Sequence, residues 1–192
     1  MQDILYVTES MPIINIPNSS VQFSPQSVNI NSFDARLGKS DLSAKGEIYN
    51  LLAYFSENGV VRGDLDINSN YFLADEWLVS GEEKLPVSNQ PRKEEQINDQ
   101  FSLNIQADFK KLDYDTYKLS ELTSKLNITA NNLQLERLYT KVNGSDVSAL
   151  GRASNLYNFV YNNGILTGDF QLNANLFDLD KLMAVEEKKR KC

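Results

Sequence analysis

The chain has 192 residues, a formal net charge of −7 and a pI near 4.7, a balance that argues against nucleic acid as a partner because phosphate contacts need clustered Lys and Arg. It has no histidine, and its one cysteine is the last residue, so His/Cys metal centres, Ser–His or Cys–His catalysis and an internal disulfide are excluded. No cofactor or metal site is expected, and carboxylate chemistry is the one catalytic option left.

Along the chain, the N-terminus MQDILYVTES lacks the basic-then-apolar order of a signal peptide, and no run of about 18 apolar residues follows. The chain therefore reads as soluble, with neither a signal peptide nor a transmembrane helix. Strands are predicted at 12–16, 19–23, 27–37 and 41–49, each bounded by Gly, Asn, Asp, Ser or Pro. NLLAYFSENG (50–59) reads as two helical turns between an Asn N-cap and a Gly C-cap. In VVRGDLDIN, Val61, Leu65 and Ile67 alternate with Arg62, Asp64, Asp66 and Asn68, the period of a half-buried strand. LADEWL (73–78) is a short helix candidate, and Trp77 reads as core at a module edge. Residues 80–100, with two prolines, many charges and few large apolar side chains, read as an exposed connection.

The clearest strand follows. In FSLNIQADF, Phe101, Leu103, Ile105, Ala107 and Phe109 alternate without a slip with Ser102, Asn104, Gln106 and Asp108. Further strands are predicted at 115–128, 132–143 and 146–153. NLYNFVYNNG (155–164) mirrors the earlier Asn-to-Gly helical turns, and Leu166, Phe170 and Leu172 then alternate with Thr167, Asp169, Gln171 and Asn173. LDKLMAVEEKKRK (179–191) is a last helix candidate, and its KKRK reads as a solvated end.

An internal repeat organises these elements. Ser40–Asp75 aligns without a gap on Ser145–Asp180, and fifteen of the thirty-six positions are identical, among them Asp41/Asp146, Gly46/Gly151, Asn50/Asn155, Gly63/Gly168 and Asp64/Asp169. Ordinary residue usage gives about two or three. Two tandem β repeats, 1–79 and 101–192 with a short C-terminal helix, are predicted on either side of the 80–100 linker. An ungapped displacement preserves register, so 27–78 and 132–183 should superpose.

The repeated glycines lack the phosphate-loop spacing and lysine. They fit structural roles better, with positive φ at Gly59 and Gly164 and a bulge or close packing at Gly63 and Gly168. Asp41, Asp64, Asp146 and Asp169 recur with the modules instead of forming one constellation. That pattern favours a structural role used twice and makes a carboxylate glycosidase a distant reading. Asn127 and Asn143 each begin a glycosylation-type triplet too common in an Asn-rich chain to assign a function.

The two modules SDLSAKGEIYNLLAYFSENGVVRGDLDINSNYF and SDVSALGRASNLYNFVYNNGILTGDFQLNANLF, with FSLNIQADFKKLDYDTYKLSELTSKLNITANNLQLERL between them and its Tyr114–Asp115 corner, resemble the AsmA family of Gram-negative envelope proteins, in particular its AsmA-like C-terminal region. The likeness covers most of 12–183. It implies a mainly β fold, an elongated, curved antiparallel sheet with an apolar groove and few short helices, related to TamB and to chorein-type lipid-transfer bridges. It also implies a non-enzymatic role in outer-membrane biogenesis, phospholipid traffic and the targeting of outer-membrane proteins. The implied location is the periplasm, with an inner-membrane anchor in full-length relatives. Lacking that anchor and much shorter, this chain reads as a fragment, whose partners would be the remainder of an anchored chain or other envelope proteins.

The groove-lining candidates are Val61, Leu65, Ile67, Phe101, Leu103, Ile105, Phe109, Leu166, Phe170 and Leu172, facing phospholipid acyl chains. The competing expectation is a structural or interaction module that fills its apolar face with its own side chains and assists outer-membrane assembly without binding lipid.

Overall fold

A computed structural model describes residues 4–6, 13–55, 59–76, 101–161 and 164–175. The predicted linker 80–100, Trp77 and the helix candidate 179–191 lie outside the described residues. The described chain is mainly β and forms one large, curved, unclosed sheet.

The strands, in chain order, are β1 (Ile4–Tyr6), β2 (Ile14–Phe23), β3 (Ser27–Leu37), β4 (Ser40–Tyr49), β5 (Val61–Ser69), β6 (Phe72–Leu73), β7 (Phe101–Tyr114), β8 (Tyr117–Thr129), β9 (Asn132–Val142), β10 (Ser145–Ser154) and β11 (Thr167–Ala174). In space the order is also sequential, β1 to β5 and then β7 to β11, while the two-residue β6 pairs with β7 beyond the end of β5. Every pair along the path is antiparallel except one: β5 runs parallel to β7, from Val61 opposite Phe101 to Ser69 opposite Phe109. A parallel neighbour needs a long crossover rather than a tight turn, and residues 70–100 provide that length.

The repeat is visible element by element. Ser27–Leu37 recurs as Asn132–Val142 and Ser40–Tyr49 as Ser145–Ser154, both displaced by 105 positions. The helical connections Leu51–Phe55, a 3-10 turn, and Leu156–Tyr161 (α1) follow at equivalent places, and β5 and β11 complete the two units. Each module is thus an antiparallel run of five strands, with β1 in the place that β7 holds in the second. The segment predicted as a helix at 73–78 contributes a 3-10 turn, Ala74–Glu76.

Register slips bend this sheet. β2 and β3 slip between Asn15 and Asn18 and again between Ser20 and Val21; β8 and β9 slip between Ser120 and Thr123 and between Lys125 and Leu126. A bulge leaves an extra residue on one strand and increases local bend and twist. Pro17 sits in the first slip, where its missing N–H breaks no regular ladder. The sequence predicts two strands there, and one strand with a bulge forms.

No described helix is long and apolar enough to cross a membrane. Among the described residues the buried hydrophobics are few and mostly small, Ala35, Ala53, Val61, Leu122 and Ala153. Described elements touch chiefly their sheet neighbours, with the two 3-10 turns lying against β5 and β7. The sheet carries no second layer of comparable extent among the described residues.

Candidate functional site

Registered partners on neighbouring strands place their side chains on the same face. Following the pairs across the sheet gives one unbroken row: Val21, Ile30, Gly46, Leu65, Ile105, Leu126, Leu135, Gly151 and Phe170. Two residues along, a second row reads Phe23, Val28, Ile48, Gly63, Leu103, Ile128, Leu133, Ala153 and Gly168. On the other side a third reads Ser19, Phe33, Ala44, Ile67, Ala107, Ser124, Leu138, Ala149 and Leu172. None of these residues is charged, and two serines are the only polar ones. At about 4.8 Å per strand, such a row is roughly 38 Å long.

The opposite face obeys the inverse rule. Gln22, Asn29, Glu47, Asp64, Asn104, Asn127, Gln134, Arg152 and Asp169 form a wholly polar row. Part of it is joined by hydrogen bonds: Asn104 Nδ2 donates to Asp64 Oδ1 at 2.8 Å, and Asn127 Nδ2 donates to Asn104 Oδ1 at 2.9 Å. Alternation in each strand and register between strands therefore agree over the whole width.

Of the predicted groove residues, Val61, Leu65, Ile67, Phe101, Leu103, Ile105 and Phe109 come together on the uncharged face, where Val61 is buried and the others are half-buried. Arg62, Asp64, Asp66 and Asn68 are exposed on the other face, as the alternation predicts. Phe170 and Leu172 continue the uncharged face onto β11, the sheet's edge, and Leu166 lies just before that strand. There both parities are exposed, because β11 has a described neighbour on one side only.

The candidates read from the sequence omit the contributions of β2, β3, β4, β8, β9 and β10 to this face. Its signal was present in Leu122, Ser124, Leu126 and Ile128, which alternate with Thr123, Lys125 and Asn127. In β9 the extra residue of the Glu136–Arg137 slip shifts the apolar set from Leu135 to Leu138 and hides the period.

The repeated glycines shape the floor of the face. A Cβ at Gly46 would run into the carbonyl oxygen of Asp64, and one at Gly151 into that of Asp169. Gly63 lies against the carbonyl of Glu47 and beneath Leu103, whose Cδ2 would be 3.0 Å from an added Cβ; Gly168 meets the carbonyl of Arg152 and the Phe170 ring. Leu65, Leu103 and Phe170 are the large side chains close to these positions.

Structural tasks also absorb the repeated Asp and Asn residues. Asp41 accepts from the backbone N–H of Tyr71 at 2.7 Å, the side chain of Asn70 at 2.7 Å and the N–H of Asn70 at 3.1 Å. Desolvation raises its pKa, but these donors outweigh it and hold the carboxyl below the ordinary value. Asp146 receives the side chain of Asn175, the repeat counterpart of Asn70. Asp64 and Asp169 instead take unlike partners on the polar face, Asn104 and Arg152.

Asn50 and Asn155 were expected as N-caps. Both adopt positive φ, and their Nδ2 atoms donate to the carbonyls of Val60 and Ile165, closing each helical loop across ten residues. Gly164 was expected at positive φ and instead supports a close approach: its N–H donates to the Asn158 carbonyl, and an added Cβ would lie 2.8 Å from Asn158 Cβ.

No protein-family model, curated protein or solved structure matches this chain.

Proposed function

We propose that this chain is a non-enzymatic segment of an AsmA-like envelope protein that holds or conducts phospholipid, the acyl chains lying along the uncharged face of the curved sheet. The continuous uncharged face carries the reading: three adjacent rows cross nine strands without a charge, and no described layer of comparable extent covers them. Hydrocarbon lying there removes apolar surface from water at about 25 cal/mol per Å² and desolvates no charge.

Length-wise extension of the face through successive five-strand modules suits the passage of a long apolar ligand better than an enclosed reaction centre. The sequence resemblance to the AsmA-like C-terminal region points the same way. In this reading the protein works at the cell envelope, alongside the remainder of an anchored chain or other envelope proteins.

Native mass spectrometry of the purified protein tests the proposal. Phospholipid-sized adducts that dissociate with acyl-chain fragments, and that a denatured control lacks, support it. A mass equal to the bare polypeptide after incubation with phospholipid would leave the module as an interaction platform whose apolar face is closed by protein.

A further inference from the structure

The parallel pair β5–β7 is the joint between two copies of one module, and β11 is the second copy of β5, with no described strand on its far side. β4–β5 and β10–β11 are equivalent hairpins in equivalent register: Gly46 faces Leu65 as Gly151 faces Phe170, and Ile48 faces Gly63 as Ala153 faces Gly168. The far sides differ. β5 pairs over nine positions with β7, whereas β11 pairs with no described strand but β10.

Exposure follows that difference. Leu65 and Ile67 on β5 are half-buried, while their counterparts Phe170 and Leu172 on β11 are 57 % and 55 % exposed. An unpaired edge with alternate apolar side chains is a template for strand addition. Between Thr167 and Ala174 β11 has no proline and no lysine, and Asp169 is its one charged residue.

We infer that the edge of β11 that no described strand pairs binds an extended polypeptide strand of the β7 pattern, running parallel to it, with uncharged apolar residues alternating with polar ones. The internal joint specifies the register. Displacing it by one repeat sets Gly168 opposite a large apolar residue, as Leu103 lies over Gly63, and Asp169 opposite an amide, as Asn104 donates to Asp64 at 2.8 Å. A second copy of this chain is a poor occupant, because its own β7 is already paired with β5 on one side and β8 on the other. This inference is independent of what lies on the apolar face.

The test uses the full chain carrying Cys192→Ser and Asp169→Cys, mixed under mild oxidation with a synthetic peptide of residues 101–114 carrying Asn104→Cys. Residue 169 is highly exposed on an edge strand, so folding is expected to survive, and circular dichroism checks it. The expected result is a disulfide-linked complex at least tenfold more abundant than with a peptide of the same composition in scrambled order. It should also exceed capture by Asn173→Cys in the same background. Asp64→Cys should capture little, because β7 occupies that edge. Equal capture of the scrambled peptide, preferential linkage at residue 173, or a concentration-dependent dimer that excludes the peptide would overturn the inference.

Discussion

Gly46 lies against the carbonyl oxygen of Asp64 as Gly151 lies against that of Asp169, so neither position has room for a side chain. The two glycines nevertheless face different mechanical constraints. Gly46 also has φ of +149°, and β5 in front of it is held from behind by β7, whereas no described strand lies behind β11 at Gly151. Gly46→Ala should therefore destabilise by about 2–3 kcal/mol and Gly151→Ala by about 1–2 kcal/mol, overpacking being costlier where the neighbour cannot shift. Urea unfolding followed by circular dichroism measures both, and equal losses would contradict the joint's role.

Asp41 ties the end of β5 back to the start of β4 through Asn70 and Tyr71. Replacing it with Ala should cost about 1–2 kcal/mol at neutral pH, as partly buried donors lose a charged acceptor.

The pH dependence of this tie has a definite sign. Because the folded carboxyl titrates below its ordinary value of 3.8, its contribution is fully present above that value and is lost as pH falls through the lower, folded one. The stability gap between the native protein and Asp41→Asn should thus shrink below about pH 4. A gap constant from pH 7 to pH 3 would show that the donors do not favour the charged form.

Much of this fold was legible because the strands alternate strictly and the repeat carries no gap. The uninterrupted period in Phe101–Phe109 locates β7, and the equivalence of 27–49 with 132–154 follows from the alignment. Departures arose where a tertiary partner decides the outcome. Pro17 resembles a break but occupies a bulge, and Asn50 resembles a cap but reaches a carbonyl ten residues away.

The parallel direction of β5–β7 had no local signature, since it depends on a crossover rather than on either strand's composition. The candidate face was legible strand by strand. Its continuity was not, because continuity is a property of register: one bulge at Glu136–Arg137 keeps Leu138 in line with Ser124 and Ala149.

Hydrogen exchange should separate the two equivalent strands. Amides of β5, bonded on both sides, should exchange at least about tenfold more slowly than those of β11, which has one described neighbour. Adding the β7-pattern peptide should narrow the difference. Matching protection of β5 and β11 in the isolated chain would mean that another segment already covers the edge.

The most direct test of the lipid-bearing face is the map of residues labelled by a phospholipid carrying a photoreactive group in its acyl chain. Labels are expected on Leu65, Ile67, Ile105 and Leu126, and none on Asp64, Asn104 or Asn127, which occupy the opposite face of the same strands. Ile105→Asp should reduce labelling while Asn104→Asp leaves it unchanged, with both variants folded by circular dichroism. Labels distributed without regard to this alternation, or no labelling above a denatured control, would contradict the claim that acyl chains lie on this sheet.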